Sequence, residues 1–468
     1  MRITIKKIAM DETRLFRFLN TTQADKMKQL RLENDPLEKE KFLQRLDQSL
    51  HTNGVIDLLR KGFRYKHLVL DMFYVRPSPG NETAAKLYAQ NIFSVTRQLQ
   101  YSRQNPLLAL DVCLFLNGLP IATMELKNQL TKQNAADAVK QYKDERTPDE
   151  VLFGFKRCIV HFAVDDNEVR MCTELKGQKS WFLPFNKGYN DGAGNPPNPD
   201  GIKTDYLWKE ILRKDDFSNI IENYVQIICD EDEETHKKSY KQIFPRYHQL
   251  QLVTSLLADA KRDGVGKRYL IQHSAGSGKS NSIAWLAHQL VTLKDATDHN
   301  IFDTVIVVTD RVNLDKQIRN TIRQFMQVSS TVGWAKDSSE LGTLLEKGTK
   351  IIITIVHKFQ FILEDISKLH TNRSFAILID EAHSSQNGDL STKMNIVLSG
   401  SEYDNDDLLE DKINTLIDGK KLAKNASYFA FTATPKNKTL EVFGREEIQP
   451  DGSKRFFPSL CLHDEAGY

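Results

Sequence analysis

The sequence predicts an α/β protein whose second half is built on a parallel sheet and whose first half is a separate, mixed α/β domain. Apolar segments rich in β-branched residues recur in the second half, at 269–272, 304–308, 350–355, 375–379 and 427–431. Such near-continuous segments are typical of strands buried on both faces of a parallel sheet. Helical apolar spacing lies between them, and strands that alternate with helices give a parallel α/β architecture.

The first half begins with a helical pattern and continues with strands. We predict strands at 109–117 and 120–126, joined at Asn117-Gly118, a pair of residues that strongly favours a tight hairpin. A second pair is predicted at 158–165 and 168–175.

Two segments divide the chain. Residues 186–201 are rich in Gly, Pro and Asn and suit a loop, and residues 230–238 pass from acidic to basic and favour a solvated linker. We therefore predict a first domain over 1–190, a helical connector over 191–238, a second domain over 239–445, and the start of a further segment over 446–468.

The composition excludes several classes of protein. The 468 residues carry a net charge of only +2, so a DNA-binding surface would have to be a local patch. The 5 cysteines form no C-x-x-C pair, which argues against a zinc ribbon or a redox motif. No apolar run approaches the roughly 20 residues of a membrane span, and the N-terminus is too polar for a signal peptide. We expect a cytoplasmic protein with no membrane partner.

A glycine-rich segment follows the predicted strand at 269–272 and precedes a helix. It includes Gly276, Gly278, Lys279 and Ser280. Backbone N–H groups of such a turn close around phosphates, Lys279 would reach the β- and γ-phosphates of ATP, and Ser280 would ligate Mg²⁺. The usual first glycine of this motif is His273 here. A glycine-rich turn with a chance Lys-Ser is the alternative reading.

Two further motifs follow predicted strands in the same half. Asp380-Glu381-Ala382-His383 comes directly after the strand at 375–379, where Asp380 would hold Mg²⁺ and Glu381 would orient the attacking water. Thr432 and Thr434 follow the strand at 427–431, and their hydroxyls could hydrogen-bond to the loop that ends at His383 and report nucleotide state.

The first domain carries a pattern suited to phosphodiester cleavage. Asp111 lies in one strand of the hairpin, and Glu125 and Lys127 end the other strand on the same face. Two carboxylates can hold Mg²⁺, and Lys127 would position or activate water. Surface charges on a hairpin are the alternative. However, Asp111 and Glu125 lie within apolar strands, where an unpaired carboxylate is energetically costly.

The motifs of the second half resemble those of superfamily-two helicases. Gly278-Lys279-Ser280, Asp380 to His383 and Thr432-Ala433-Thr434 look like motifs I, II and III. The resemblance implies that Gln249 reads adenine. It also implies DNA-backbone contacts for Arg311, Thr354 and Lys358, although solvated charge explains Arg311 and Lys358 equally well.

Over residues 15–450, the chain resembles the R (motor) subunits of type I restriction enzymes. This resemblance implies a PD-(D/E)xK nuclease with a restriction-endonuclease-like fold, followed by a RecA-like P-loop domain. It further implies ATP and Mg²⁺ as cofactors, translocation on double-stranded DNA, and modification (methyltransferase) and specificity subunits as partners. Gln141 matches the first position of the family's Gln-x-x-x-Tyr element, but Glu145 stands where tyrosine is expected, so an ordinary helix-face glutamine is equally possible.

We also expect no second RecA-like lobe, because 33 residues follow Pro435, and we therefore expect weak nucleotide binding, little or no ATPase and no autonomous translocation. Two alternatives stay open at this point. One is a DNA motor of another restriction or repair system with an inactive nuclease, and the other is a non-enzymatic remnant that binds DNA or docks to a partner.

Overall fold

The computed structural model divides the chain into two compact units, Met1–Tyr247 and His248–Tyr468. It describes residues 8–77, 80–102, 104–190, 192–231, 235–274, 278–309, 322, 332–335, 338–355, 372–380, 423–449 and 453–462.

The first unit begins with helices, as the sequence predicts. Its described α-helices are α1 (Glu12–Thr22), α2 (Ala24–Leu30), α3 (Pro36–Asn53), α4 (Val55–Lys61), α5 (Glu82–Ala89), α6 (Ala135–Glu145) and α7 (Lys214–Asn223). Several begin at a side chain that accepts a backbone N–H: Asp11 caps α1, and Asp35, followed by a proline, caps α3. Such caps satisfy N–H groups that have no partner within the helix.

A mixed, six-stranded sheet forms the centre of this unit. In spatial order its strands are β3 (Phe93–Gln100), β4 (Ala109–Leu116), β5 (Leu119–Leu126), β6 (Val160–Val164), β7 (Val169–Cys172) and β8 (Leu183–Pro184). Only the β5–β6 pair is parallel. A small hairpin of β1 (Phe63–Tyr65) and β2 (Leu68–Leu70) precedes this sheet. Helix α6 packs on the sheet, with Ala138 and Tyr142 buried in one cluster with Cys113 and Phe115 of β4.

The predicted turn connects β4 to β5. Asn117 and Gly118 both have positive φ, 51° and 85°, which is the conformation that a two-residue type I′ turn requires. The turn is anchored on both sides: Asn117 Nδ2 donates to the Met72 carbonyl, and the Gly118 carbonyl accepts from Asp11 N–H. The register of the hairpin is thereby fixed, and with it the side chains that share one face.

The segment that we expected to be a solvated linker instead belongs to a hairpin. Strands β9 (Gln226–Glu231) and β10 (Lys238–Ile243) pair in antiparallel register. The side chain of Gln242 donates to the Cys158 and Ile159 carbonyls. The hairpin is held on the first unit by the backbone hydrogen bonds between its strands and by the buried hydrogen bonds of Gln242. Together these stabilise the hairpin more than hydration of its charged side chains stabilises an unpaired linker.

The second unit is a parallel sheet with helices between the strands. The order is β13 (Val332–Trp334), β14 (Ile351–Ile355), β12 (Thr304–Thr309), β15 (Phe375–Ile379), β16 (Ala426–Thr432), β11 (Arg268–His273) and β19 (Leu460–Leu462), and every pair is parallel. The described α-helices are α8 (Tyr247–Asp263), α9 (Lys279–Val291), α10 (Ser338–Glu346) and α11 (Asn437–Phe443), and a hairpin of β17 (Arg445–Ile448) and β18 (Lys454–Phe457) lies between α11 and β19.

The predicted parallel α/β fold is therefore confirmed, and all five predicted strands of this half are present. Their residues are almost completely buried, and each buried Val, Leu or Ile side chain contributes about 1.5–3 kcal/mol. No helix in the described part of the chain is long and apolar enough to cross a membrane.

Candidate active sites

The β4–β5 hairpin brings the predicted nuclease residues together in the first unit. Its register pairs Val112 with Met124, so Asp111 lies opposite Glu125. The backbone N–H of Leu126 donates to Asp111 Oδ2 at 2.9 Å, which fixes the carboxylate beside the end of β5. A cleft of about 740 Å³ opens over Asp111.

Glu125 is completely buried, yet only one of its oxygens is paired. Arg146 Nε donates to Glu125 Oε1 at 2.6 Å, whereas Oε2 has no hydrogen-bond partner among the described residues. Burial raises the pKa of Glu125 to about 7, and the Arg146 guanidinium opposes that rise; the Asp111 carboxyl group adds to it, both by its charge and as a hydrogen-bond partner when one of the two carboxyl groups is protonated. The two carboxylates are close enough to repel each other, so their site favours a bound cation.

Lys127 is held by a residue of the neighbouring helix. Its Nζ donates to Gln141 Oε1 at 2.6 Å, and Gln141 Nε2 donates to Glu145 Oε2 at 3.1 Å. Glu145, which stands in place of the expected tyrosine, therefore accepts a hydrogen bond from the glutamine of the same element. The structure places Gln141 directly against Lys127, at a half-buried position of α6.

The donor set fits a divalent cation of the magnesium type. Asp111 and the unpartnered Oε2 of Glu125 are hard oxygen ligands, and Mg²⁺ usually binds one or two carboxylates together with water and substrate phosphate. Within the described ranges, no group of three or more His, Cys, Asp and Glu side chains could hold a metal.

Sequence reasoning missed two residues of this site. Arg146 follows α6 and binds Glu125, and Gln98 Nε2 donates to Asp111 Oδ1 at 3.0 Å. Gln98 has a φ of 49°, a left-handed conformation that is uncommon for a residue other than glycine. No motif marks either residue, since each contact depends on the packing of a neighbouring element.

The second unit places the predicted phosphate-binding lysine next to the predicted magnesium ligand. Lys279 begins α9, Asp380 directly follows β15, and Lys279 Nζ lies 3.6 Å from Asp380 Oδ1. Their side chains are 11% and 3% exposed. Because all seven strands are parallel, their carboxyl ends meet at one edge, which is where α/β sheets bind ligands.

Gly278 and Gln249 form the next part of this edge. Gly278 precedes α9 with a φ of 83°, and Gln249 Nε2 donates to the Gly278 carbonyl at 3.1 Å. Ser280 is half-buried in the first turn of α9. Gln249, the residue expected to read adenine, therefore contacts the phosphate-loop motif directly.

The remaining predicted residues are distributed along the same edge or lie outside the described residues. Thr432 ends β16 and is buried, Thr434 is exposed beyond it, and Thr354 is buried near the end of β14. Five predicted residues lie outside the described residues: Gly276, Arg311, Lys358, Glu381 and His383.

Two family models match the chain, one on each unit. Residues 20–180 match "Type I restriction enzyme R protein N terminus", and residues 248–449 match "SWI2/SNF2 ATPase". Among solved structures, the ATP-dependent type ISP restriction-modification enzyme LlaBIII bound to DNA aligns with a TM-score of 0.29 and 14% identity, over 48% of this chain and 15% of that one.

Curated relatives are endonuclease subunits of type I restriction enzymes. The HindI subunit of Haemophilus influenzae is 26% identical over 76% of this chain and 33% of its own length. The SauMSSORF170P subunit of Staphylococcus aureus is 25% identical over 95% of this chain and 43% of its own length. The chain thus spans between a third and a half of the length of these relatives. These matches support an R subunit of the type I restriction enzyme kind, with its N-terminal region at residues 20–180 and a SWI2/SNF2-type, helicase-like region at residues 248–449.

Proposed function

We propose that the first unit is a Mg²⁺-dependent DNA endonuclease and that the second unit is the ATP-binding part of a double-stranded DNA translocase. Both would act within the restriction subunit of a type I restriction-modification system, with modification and specificity subunits as partners. The observation that carries the nuclease proposal is the unpartnered, buried Oε2 of Glu125 beside Asp111, with Lys127 held nearby by Gln141.

The residues of the nuclease site divide the chemistry among them. Asp111 and Glu125 would hold Mg²⁺, which supplies positive charge to offset the charge that develops on the scissile phosphate. Lys127 would orient the attacking water or the phosphate, since Gln141 fixes its amine without neutralising it. The cleft beside Asp111 is lined by Arg14 and Arg97, which suit the phosphates of a DNA backbone.

The second unit would bind ATP at the carboxyl edge of its sheet. Lys279 would leave Asp380 to contact the β- and γ-phosphates, and Ser280 and Asp380 would hold Mg²⁺. We propose that Gln249 contacts adenine, that Glu381 orients water and that Thr432 and Thr434 respond to the nucleotide. We further propose that Thr354, Arg311 and Lys358 contact the DNA backbone.

Cleavage of supercoiled DNA by the full chain in Mg²⁺ tests the nuclease. Lys127→Ala should reduce cleavage by about 100-fold or more, the usual contribution of a positioned proton-transfer or charge-stabilising group. Lys140→Ala is the matched control, because it removes the same charge from an exposed position on α6. No cleavage by the wild type, or equal cleavage by wild type and Lys127→Ala, would refute the nuclease assignment.

Titration of a fluorescent ATP analogue tests the second unit independently. Lys279→Ala should abolish binding, while the three nuclease substitutions Asp111→Ala, Glu125→Ala and Lys127→Ala should leave it intact. Unchanged binding by Lys279→Ala would contradict the assignment of the phosphate loop.

A further inference from the structure

We infer that Arg146 is a positioning residue of the nuclease site, which holds one oxygen of Glu125 and leaves the other free for the metal. The inference rests on the proposed nuclease function. It adds a residue that lies outside the Asp-Glu-Lys pattern and is placed by the end of α6.

Arg146 is a fixed cation with partners on several elements. It is 2% exposed and pairs with the 0%-exposed Glu125. Its Nη1 donates to Tyr101 Oη at 2.9 Å, and its Nη2 donates to the Ala109 carbonyl at 3.0 Å. Tyr101 directly follows β3 and Ala109 begins β4, so the guanidinium is held from two strands other than that of Glu125.

The way in which Arg146 binds Glu125 is the decisive feature. Arginine and carboxylate often pair through two parallel hydrogen bonds, which occupy both carboxylate oxygens. Here both Nη atoms bind elsewhere, so only Nε is left for Glu125 and only Oε1 is occupied. Oε2 therefore stays without a hydrogen-bond partner among the described residues, on a carboxylate that lies beside Asp111.

The charges of the site support the same role. The site holds two cationic side chains, Lys127 and Arg146, beside the carboxyl groups of Asp111 and Glu125, and Arg146 Nη1 also lies 3.4 Å from Oε2 of the exposed Glu145. A buried carboxylate without a partner is costly to hold in one position. A permanent cation on Oε1 keeps Glu125 in place as a ligand before any metal binds, which lowers the cost of assembling the site.

A single helix thus positions two members of the nuclease site. Gln141 in α6 holds Lys127, and Arg146 at the end of α6 holds Glu125. Because the helix packs on the sheet through Ala138 and Tyr142, both contacts depend on the same interface.

Mn²⁺ binding by the full chain, measured by calorimetry, tests this role, together with the Mg²⁺ dependence of DNA cleavage. Arg146→Met should weaken Mn²⁺ binding at least tenfold and move the cleavage curve to higher Mg²⁺ by a similar factor. Arg146→Lys keeps the charge but has no Nε–H with this fork geometry, so it should recover part of the affinity. Wild-type affinity in Arg146→Met would overturn the inference.

Arg157→Met is the matched control for general destabilisation. Arg157 is also buried in the first unit, but it pairs with Asp47 at 2.7 Å, away from the site. This variant should lower the melting temperature and leave the Mn²⁺ affinity unchanged, and an equal loss of affinity would overturn a specific role for Arg146. Should Arg146→Met fail to fold, Tyr101→Phe removes one restraint on the guanidinium, and unchanged Mn²⁺ affinity in that variant would also overturn it.

The two proposals fail in different ways. Cleavage by the wild type, with wild-type Mn²⁺ affinity in Arg146→Met, rejects the positioning role and keeps the nuclease. Mn²⁺ binding that depends on Arg146 and Asp111, without any cleavage, supports the positioning role and rejects the nuclease.

Discussion

Substitution of Gly278 by alanine should weaken ATP binding, because the backbone there is left-handed and an added side chain would displace the end of Gln249. Gly278 has a φ of 83°, and an added Cβ would overlap Nε2 of Gln249. The left-handed conformation costs a non-glycine residue about 1–2 kcal/mol. Displacement of Gln249 from the Gly278 carbonyl forfeits a further hydrogen bond, about 0.5–1.5 kcal/mol.

These costs act on the conformation that binds phosphate. Their sum is about 1.5–3.5 kcal/mol, on the order of a 10- to 300-fold increase in Kd at about 1.4 kcal/mol per tenfold. Titration of a fluorescent ATP analogue in Mg²⁺ measures the change directly, with the melting temperature followed in the same samples.

Gly264→Ala is the matched control for backbone strain. Gly264 also has a positive φ, 68°, and an added Cβ would meet no atom within 4 Å. Gly264 directly follows α8, and its N–H donates to the Ala260 carbonyl. This variant should lose stability and keep its affinity for ATP. Equal loss of affinity in both variants, or wild-type affinity in Gly278→Ala, would refute the reasoning.

Three further predictions concern the first unit. Burial lowers the pKa of His161 from 6.5 to about 3, so below pH 6.5 the unfolded chain binds a proton that the folded chain refuses. The free energy of unfolding therefore decreases as the pH falls, by about 2 kcal/mol at pH 5. Urea denaturation at several pH values should show a weaker pH dependence of this free energy for His161→Gln than for the wild type. An equal pH dependence in both proteins would contradict this account. Gly118→Ala should lower the melting temperature and the DNA cleavage rate of this unit, because Gly118 has a φ of 85° and an added Cβ would overlap the Asp11 carbonyl. A wild-type melting temperature in this variant would contradict the described turn conformation. Mg²⁺ should raise the melting temperature of the wild type but not that of Asp111→Asn, and EDTA should reverse the increase. An equal increase in both proteins would exclude Asp111 as a Mg²⁺ ligand.

The sequence predicted much of the backbone because the signals involved are local. Strands buried on both faces read as apolar segments, and all those predicted in the second unit are present. The Asn117-Gly118 pair fixed a turn because both residues tolerate positive φ. Strands β3, β13 and β19 were not predicted. All three lie at a sheet edge, β3 is largely exposed and β13 is short, so none shows a continuous apolar pattern. The acidic-to-basic segment was misread as a linker because charge patterning carries no information about backbone pairing.

The sequence by itself determined which residues are candidates for the chemistry, through spacing along one strand or position after a strand: Asp111, Glu125 and Lys127 in the first unit, Lys279 and Asp380 in the second. Only the tertiary structure decided how these groups are held. Arg146 contacts Glu125 from 21 residues away along the chain, and Gln249 contacts Gly278 from 29. Such contacts depend on how a helix packs on a sheet, and that packing is set by the summed burial of many side chains, which no short stretch of sequence encodes.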